Sequence, residues 1–465
     1  MRRVLTTFVI MAAIVHSSLL VARAYTLQYA DAAARIKIKW PTNKITISLS
    51  NSLTQPQPNI KTGSDVIAAV RKALDHWSEV ANVEFDIKEG ASEQSVSASD
   101  SGGDGKSLIT VAPTSENLAL FQDRASELSG RTRLFFTKSG RITEADIVLN
   151  PLQQFSTDGT FSTYDLEATL THEIGHLLGL EHSCMIGSTM QPCQGMNGIY
   201  NLSALTPRTL SDDDKAGISS LYGLRDEINK RGTITGKITD ENNLPVFGAN
   251  VWVEDAKGRV VATNLTLPNG AYRLSGLLAG EYRIMVEPLD EPISPFELFS
   301  RRGVYSALLS SELFPFRTKE IGTVKVEDGR VTTVNAQVEN ETPAINPTRI
   351  GFNAQLSTLS VPINAGYKYT IFVGGDKITQ EQIENISISS PFINVVRGSL
   401  KPEPYGPNIK VLRFSIIVSA KAPSGEYSVR LQTKDGEVAY VVGGLTVDSL
   451  TNQWGIPTLS PSAED

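Results

Sequence analysis

Hydrophobic and polar residues alternate in short runs through the first part of the chain, with one helical pattern between two of these runs. Alternation over 45–49 and again over 83–87 predicts two strands, each with one buried face. Between them, apolar residues three or four positions apart over 67–77 predict an amphipathic helix. Two further strands are predicted around 108–111 and 146–149. Together these elements predict a small α+β domain.

The pattern changes after residue 231, where helical periodicity disappears. Short alternating strands separated by turn sequences such as Asn269-Gly270 fill residues 231–340, and the same pattern recurs over 344–448. Antiparallel sandwiches have this arrangement. The fold class predicted from the sequence is therefore a multi-domain chain, with an α+β domain followed by two all-β sandwich modules and a polar tail over 449–465.

The N-terminal residues 1–24 have the pattern of a secretory signal peptide. Met1-Arg2-Arg3 precedes an apolar run, and Ala22-Arg23-Ala24 gives an A-x-A cleavage site before Tyr25. An uncleaved membrane anchor is the alternative, but polar residues dilute the stretch. We expect a secreted protein, or one on the exterior of the cell envelope, whose first folded domain occupies residues 25–225.

Charge restricts the class of partner. The chain has 43 basic and 50 acidic residues, and loss of the three arginines in residues 1–24 would change the net charge from −7 to 40 − 50 = −10. A mildly acidic exported protein is not expected to bind nucleic acid or anionic membrane. No other segment is apolar enough to span a bilayer, so no membrane span is expected after signal cleavage.

Candidate chemistry is concentrated in the stretch THEIGHLLGLEHS, which carries three of the five histidines in the chain. His172 and His176 are four residues apart, so both imidazoles lie on one face of a helix and can reach one ion. Gly179 can take the left-handed conformation that ends a helix, which lets His182 turn back as a third ligand. Catalytic zinc uses three such ligands and an open position.

Glu173, next to the first histidine, is the predicted general base. It cannot comfortably share the metal, but it can reach a water on the metal and later protonate the leaving amine. An ordinary polar surface helix is the alternative interpretation of the stretch. The rarity of this histidine spacing in a chain with so few histidines favours the metal site.

These residues resemble the metzincin zinc peptidases, whose motif is H-E-x-x-H-x-x-G-x-x-H. Ser183 directly after the motif is similar to the matrixin branch, and STMQP resembles the matrixin Met-turn, which implies that Met190 packs under the zinc without binding it. EADIVLNP and TLSDDDKAGISSLYG extend the resemblance over residues 36–223. The resemblance implies a zinc metalloendopeptidase of the kind that bacteria secrete.

The sequence departs from the animal matrixins at its cysteines and histidines. No cysteine precedes the motif, so a thiol switch is not expected, and too few histidines remain for a second, structural zinc. Cys184 and Cys193 bracket Met190, and an even cysteine count in an exported chain predicts a disulfide between them, with two thiols as the alternative.

Calcium is a weaker prediction. Asp100 and Asp104 lie in the Ser/Gly-rich stretch 90–106, and their carboxylates could help to hold Ca²⁺. Carboxylates in a glycine-rich loop are more often only solvated, so both interpretations stay open. His76, which lies on the predicted helix far from the motif, is expected to be a packed or surface histidine.

The two β modules carry no catalytic constellation. Through the stretches GKITDENNLPVFGANVWV and NGAYRLSGLLAGEYRIMV, residues 231–340 resemble carboxypeptidase regulatory-like domains with a transthyretin-like sandwich. Residues 344–448 are Ig-like in pattern. Binding of extracellular matrix, polysaccharide or a cell surface is one prediction for these modules. Simple stabilisation of the exported chain is the other.

Two functions from different classes are compatible with the motif. The first is a secreted zinc-dependent endopeptidase that hydrolyses protein or peptide substrates through a zinc-activated water, with Glu173 as general base. The alternative is a catalytically idle or narrowly specific adhesin or matrix-binding protein that retains the metzincin fold. Loss of the base or of a ligand is typical of idle members, and neither is lost here.

Overall fold

The computed structural model describes most of the chain between residues 26 and 447. The described residues are 26–31, 36–122, 126–202, 208–225, 231–290, 293, 305 and 313–447. The predicted signal peptide (1–24) and the predicted polar tail (449–465) lie outside them. None of the helices in these residues combines the length and apolar character needed to cross a membrane.

The N-terminal domain is an α+β unit built on one five-stranded sheet. The five strands of this sheet are β1 (Lys44–Ser50), β2 (Glu84–Ala91), β3 (Ser107–Thr110), β4 (Gly130–Phe136) and β5 (Ile142–Leu149). The domain also contains the short strands β6 (Phe155–Ser156) and β7 (Tyr164–Asp165). Its helices are α1 (Val66–Val80), α2 (Ser115–Ala119), α3 (Leu166–Leu177) and α4 (Asp212–Tyr222). The sheet order is β2-β1-β3-β5-β4. All neighbours are parallel except β4, which runs antiparallel to β5 and forms an edge of the sheet.

Helix α3 is the buried centre of this domain, and α1 packs against it. Trp77 of α1 is fully buried, and its indole Nε1 donates to the carbonyl of Thr171 at 2.9 Å. At the C-terminal end of α3, Trp40 Nε1 donates to the Leu177 carbonyl at 2.9 Å and Tyr222 Oη to the Leu178 carbonyl at 2.7 Å. Trp40 and Tyr222 thereby satisfy carbonyls that a helix terminus otherwise leaves without partners.

The N-terminus of α3 is fixed by a buried ion pair. Asp165 is the N-cap, and its Oδ1 accepts from Ala168 N at 2.9 Å. Arg208 donates to both carboxylate oxygens of Asp165, with Nε to Oδ1 at 3.0 Å. The spacing of Ser162 and Asp165 in the sequence predicts a capping box at the start of this helix. That prediction is wrong, because Ser162 has a left-handed backbone (φ 62°) and lies before the helix. Asp165 caps the helix alone.

Among the residues that the structure describes after position 231, all the named elements are strands, and they form two sheets in each of two modules. The first module contains β8 (Gly232–Thr239), β9 (Asn250–Asp255), β10 (Val260–Leu265), β11 (Ala271–Leu277), β12 (Gly280–Glu287), β13 (Lys319–Val326), β14 (Val331–Thr333) and β15 (Ala336–Gln337). The second contains β16 (Arg349–Phe352), β17 (Gln355–Ser357), β18 (Val361–Ile363), β19 (Lys368–Gly375), β20 (Ile383–Ile388), β21 (Ile393–Val395), β22 (Lys401–Glu403), β23 (Lys410–Val418), β24 (Gly425–Thr433) and β25 (Val438–Val447).

Sheet orders are β10-β9-β12-β13 and β11-β8-β14 in the first module, where β15 also pairs with β8. In the second module they are β17-β16-β19-β23-β21, with β22 also on β23, and β18-β25-β24-β20. The predicted fold class, an α+β domain followed by two all-β modules, is confirmed.

Both β modules contact the α+β domain directly. Helix α4 packs against β10 and β11 of the first module, and Arg259 pairs with Asp212 across this contact at 3.0 Å. On the second module, the hydroxyl of Tyr200 lies 2.7 Å from Ser357 Oγ and 2.9 Å from the carbonyl of Leu359. The periodicity of the sequence contained no information about these contacts, since it indicates only which face of each helix or strand is apolar.

We expect Arg208→Met to unfold the protein more easily. The substitution removes the charge that pairs with the buried Asp165 carboxylate, and breaking a buried pair in this way costs about 3–5 kcal/mol. Urea unfolding followed by circular dichroism measures the effect. Lys61→Met is the matched control, because Lys61 and Asp158 form an exposed pair worth at most about 1 kcal/mol. Equal decreases in the free energy of unfolding for the two variants would contradict the stabilising role of the Arg208–Asp165 pair.

Candidate active site

Three histidines converge at the C-terminal half of α3. His172 and His176 lie one helical turn apart, and His182 follows the end of the helix. One ligand atom from each of the three side chains can be chosen so that all lie within 4.8 Å of one another. The ring centroids are separated by 4.8, 5.3 and 4.7 Å. The structure therefore brings together the three residues predicted as metal ligands.

Hydrogen bonds at the outer nitrogens orient two of these rings. His172 Nδ1 lies 2.8 Å from the Thr189 carbonyl oxygen, and His176 Nδ1 lies 2.9 Å from that of Leu180. A carbonyl oxygen can only accept, so each Nδ1 carries the proton and each Nε2 keeps a lone pair. His176 Nε2 lies 3.1 Å from His182 Nε2. A convergent set of imidazole nitrogens with carbonyl-anchored rings fits a zinc ion.

Burial keeps the two helical histidines neutral. Burial and, to a smaller extent, the neighbouring His176 lower the pKa of His172 to about 3. The pKa of His176 falls to about 4, again mainly because of burial, with an added effect from the positive charge of Arg131. A neutral imidazole is the form that binds a metal.

Glu173 is held between α3 and the edge strand β4. The Thr132 hydroxyl lies 2.6 Å from Glu173 Oε2 and 2.9 Å from the Glu173 carbonyl oxygen. A Cβ on Gly130 would lie 2.9 Å from Glu173 Cγ, so only glycine leaves room for this side chain. Burial raises the pKa of Glu173 to about 7, although Thr132 and Arg131 act in the opposite direction.

Thr132 is a site residue that the sequence reasoning missed, together with the whole of β4. The available signal for an edge strand was an alternating pattern, in which arginines and an aromatic residue separate Thr132, Leu134 and Phe136. The contact between Thr132 and Glu173 joins residues 41 positions apart. Local sequence patterns do not report such pairs.

Gly179 ends the helix in the way the sequence predicted. It has a left-handed backbone with φ 99°, and a Cβ there would lie 2.3 Å from the carbonyl oxygen of Ile38. Another residue would be strained and would also clash with the backbone. The turn presents the Leu180 carbonyl to His176 and carries the chain back towards the other histidines.

Met190 lies beneath α3 and packs against the backbone of Gly175. A Cβ on Gly175 would lie 2.2 Å from Met190 Sδ and 2.9 Å from a ring carbon of Trp77. The Met190 turn is fixed by Asp214, which accepts from Thr189 N at 2.9 Å and from Met190 N at 3.1 Å. Met190 is thus a packing residue in the structure, and its turn supports the carbonyl that orients His172.

No disulfide joins Cys184 and Cys193, so the structure does not contain the predicted bridge. The two side chains lie in different environments. Cys184 is buried beside Glu287 at a cavity between domains, and burial raises the pKa of its thiol. Cys193 is partly buried and lies near Tyr164. Short sequence separation therefore did not bring the two sulfurs together, because the intervening turn directs Cys184 towards the β modules.

The predicted calcium ligands do not form a cluster. Asp100 and Asp104 are exposed, and Asp104 Oδ1 accepts from Lys106 N at 2.8 Å. The described part of the chain holds one group of three or more metal-ligating side chains, which is the histidine triad. His76 is outside this group and lies 2.9 Å from Glu167 Oε1, as a packed histidine. A role for calcium stays a prediction.

Comparison with known families gives two matches. Residues 39–223 match the matrixin family, and residues 233–290 match the carboxypeptidase regulatory-like domain. The histidine triad, Glu173 and Met190 all lie in the first matched segment. The predicted resemblance of both segments is confirmed.

Similar curated proteins are metalloproteinases of plants and animals. Metalloendoproteinase 1-MMP of Arabidopsis thaliana is 30% identical over 40% of this chain and 45% of its own length. Metalloendoproteinase 2-MMP of the same plant is 26% identical over 49% and 54%, and human matrix metalloproteinase-19 is 29% identical over 38% and 29%. The chain therefore spans about half or less of the length of these relatives.

Among solved structures, the major pilin subunit BcpA of Bacillus cereus shares 15% identity with a TM-score of 0.18. The match covers 47% of this chain and 69% of that protein. A likeness at this level has no bearing on function.

We expect Gly175→Ala to destabilise the Met190 turn. The added methyl group would overlap Met190 Sδ, and overpacking of a core costs about 1–3 kcal/mol. Urea unfolding measures the loss, and Met190→Ala in the same chain should restore part of it by making space. Gly280→Ala is the control, because a Cβ there meets nothing closer than 3.7 Å. A fully stable Gly175→Ala protein would contradict the close packing described above.

Proposed function

Residues 39–223 form a matrixin domain and residues 233–290 a carboxypeptidase regulatory-like domain, and from this premise we propose that the protein is a secreted zinc-dependent endopeptidase. His172, His176 and His182 are the proposed zinc ligands, and Glu173 is the proposed general base. The observation that carries the proposal is the convergence of three imidazoles within 4.8 Å, beside a buried glutamate. The matrixin homologues support a metallopeptidase at modest identity.

The roles follow from the chemistry of the groups. A zinc ion held by three imidazoles supplies Lewis acidity, which polarises a peptide carbonyl and lowers the pKa of water. Glu173 takes the proton from the attacking water and returns it to the leaving amine. Thr132 holds the carboxylate by donating to Oε2, so that Glu173 keeps one orientation during both transfers.

The edge strand β4 gives the site a place for a peptide. Among the described strands β4 pairs only with β5, and its other edge has no strand partner. An extended peptide can add to such an edge through main-chain hydrogen bonds. Because Thr132 and Gly130 of this strand contact Glu173, a peptide bound along β4 would pass next to the proposed base. Protein and peptide substrates fit this geometry.

Export is part of the proposal and is supported by the pattern of residues 1–24 in the sequence. Binding of extracellular matrix, polysaccharide or a cell surface by the β modules stays a prediction from sequence. The modules also contact the proposed catalytic domain through buried residues such as Tyr200, which supports a structural contribution.

We expect Glu173→Gln to lose cleavage of an unfolded protein substrate while retaining zinc. Glutamine keeps the shape and can accept from Thr132, but it cannot take a proton, and loss of a general base lowers kcat by about 10²–10⁴-fold. Metal analysis and turnover are measured on the same preparation. Glu167→Gln is the matched control, since Glu167 lies on the same helix and pairs with His76; its turnover should remain close to that of the parent.

Each outcome has a distinct meaning. Zinc in both proteins with cleavage only by the parent supports the proposal. Zinc in both with cleavage by neither would favour the idle or narrowly specific matrix-binding alternative. A parent that binds no zinc would refute the ligand assignment.

Removal of metal should lower thermal stability. A ligand that binds only the folded state stabilises it by about 4 kcal/mol at a thousandfold excess over Kd. Differential scanning calorimetry of the chelated protein, before and after addition of zinc, should therefore show a rise in Tm on zinc addition. His182→Ala should abolish most of this rise. An equal rise in the parent and in His182→Ala would show that zinc binds elsewhere.

A further inference from the structure

The segment that follows His182 enters the junction between the matrixin domain and both β modules. Met185 is fully buried in a cluster that includes Trp252 of the first module and Tyr440 of the second. The next residue, Ile186, donates its N–H to the carbonyl of Val442 at 3.3 Å. A chain segment beginning one residue after a proposed zinc ligand is thus built into the core between domains.

A buried polar contact fixes the start of this segment. Ser183 Oγ donates to Asp213 Oδ2 at 2.6 Å. Asp213 Oδ1 accepts from the backbone N–H of Thr263 at 2.6 Å and from its hydroxyl at 3.2 Å. Ser183, Asp213 and Thr263 are 5%, 2% and 2% exposed. The Asp213 carboxylate therefore joins two hydroxyl residues from different domains, away from solvent screening.

The position of His182 depends on the backbone on either side of it. Glu181 N donates to the Thr26 carbonyl at 2.8 Å, and Ser183 N donates to the Met190 carbonyl at 2.8 Å. His182 has left the helix that fixes the other two histidines. Ser183 is held through its backbone by the Met190 turn and through its side chain by Asp213. Any movement of Ser183 would move His182 with it.

We propose that Thr263 of the carboxypeptidase regulatory-like domain is a positioning residue of the metal site, which acts through Asp213 and Ser183 to hold His182. The proposal rests on the proposed function insofar as that function makes His182 a zinc ligand. Groups behind a metal ligand set its orientation, and their loss weakens metal binding even though they never touch the ion. The first β module is then a structural part of the site.

The test compares zinc affinity in full-length variants by competition with a chromophoric chelator. Thr263→Val removes the hydroxyl at nearly constant volume and should weaken zinc binding about tenfold, the lower end of the range for groups behind a ligand. Thr263→Ser restores the hydroxyl and should restore the affinity. Thr266→Val is the matched control, because the buried Thr266 hydroxyl donates to the Val246 carbonyl within the same module.

Control and test variants separate positioning from general stability. Both Thr263→Val and Thr266→Val remove a buried hydroxyl that makes two contacts, so both should lower the urea midpoint, but only the former should change zinc affinity. Ser183→Ala breaks the same connection from the matrixin side. Its effect on zinc affinity should match that of Thr263→Val. The double variant should bind zinc no more weakly than either single variant, because both substitutions interrupt the same connection through Asp213.

The outcomes also separate this proposal from the proposed function. Parent-like zinc affinity in Thr263→Val and Ser183→Ala, with a zinc-binding parent, overturns the positioning role alone. Equal losses in Thr263→Val and Thr266→Val overturn it as well, since general destabilisation would then explain both. A parent that binds no zinc refutes the ligand assignment, and the positioning role falls with it.

Discussion

Two adjacent carboxylates at the start of α4 hold together the segments on which the rest of the site depends. Asp214 accepts from the backbone of Thr189 and Met190, and Thr189 in turn orients His172. Asp213 accepts from Ser183, next to His182, and from Thr263. Burial raises the pKa of both carboxyls, that of Asp213 to about 7, and the buried hydrogen-bond donors act against this shift. The cost of burying these groups is offset by the contacts they make.

This arrangement explains how a short helix and an irregular loop can form one rigid ligand set. The helix sets the relative positions of His172 and His176, because residues four apart lie on the same face. The helix does not set the position of His182, which follows the turn at Gly179 and donates its backbone N–H to the adjacent Glu181 Oε1 at 3.3 Å. Its place is fixed by hydrogen bonds at the neighbouring residues and by the packing of Met185 between the β modules. Metal sites require this kind of support from behind the ligands.

The β modules consequently have a closer relation to the site than their sequences suggested. Met185, Ser183 and Tyr200 of the matrixin domain contact them through buried atoms. A Cβ on Gly443 would lie 2.5 Å from Met185 Cγ, so the second module leaves space for this one side chain. Such complementarity is typical of a packed interior rather than of domains joined by a loose linker.

From the sequence alone, the fold class follows from local periodicity, and the histidine triad, Glu173 and the turn at Gly179 follow from a fixed spacing. The packing role of Met190 follows only from the resemblance of STMQP to the matrixin Met-turn. The predicted disulfide is absent from the structure, in which Cys184 lines a cavity with residues of the β modules and Cys193 lies near Tyr164. Only the tertiary structure decided where Thr132, Asp213 and Thr263 act, since their partners lie 30 to 50 residues away. Contacts at such separations depend on how whole elements pack, which no local pattern encodes.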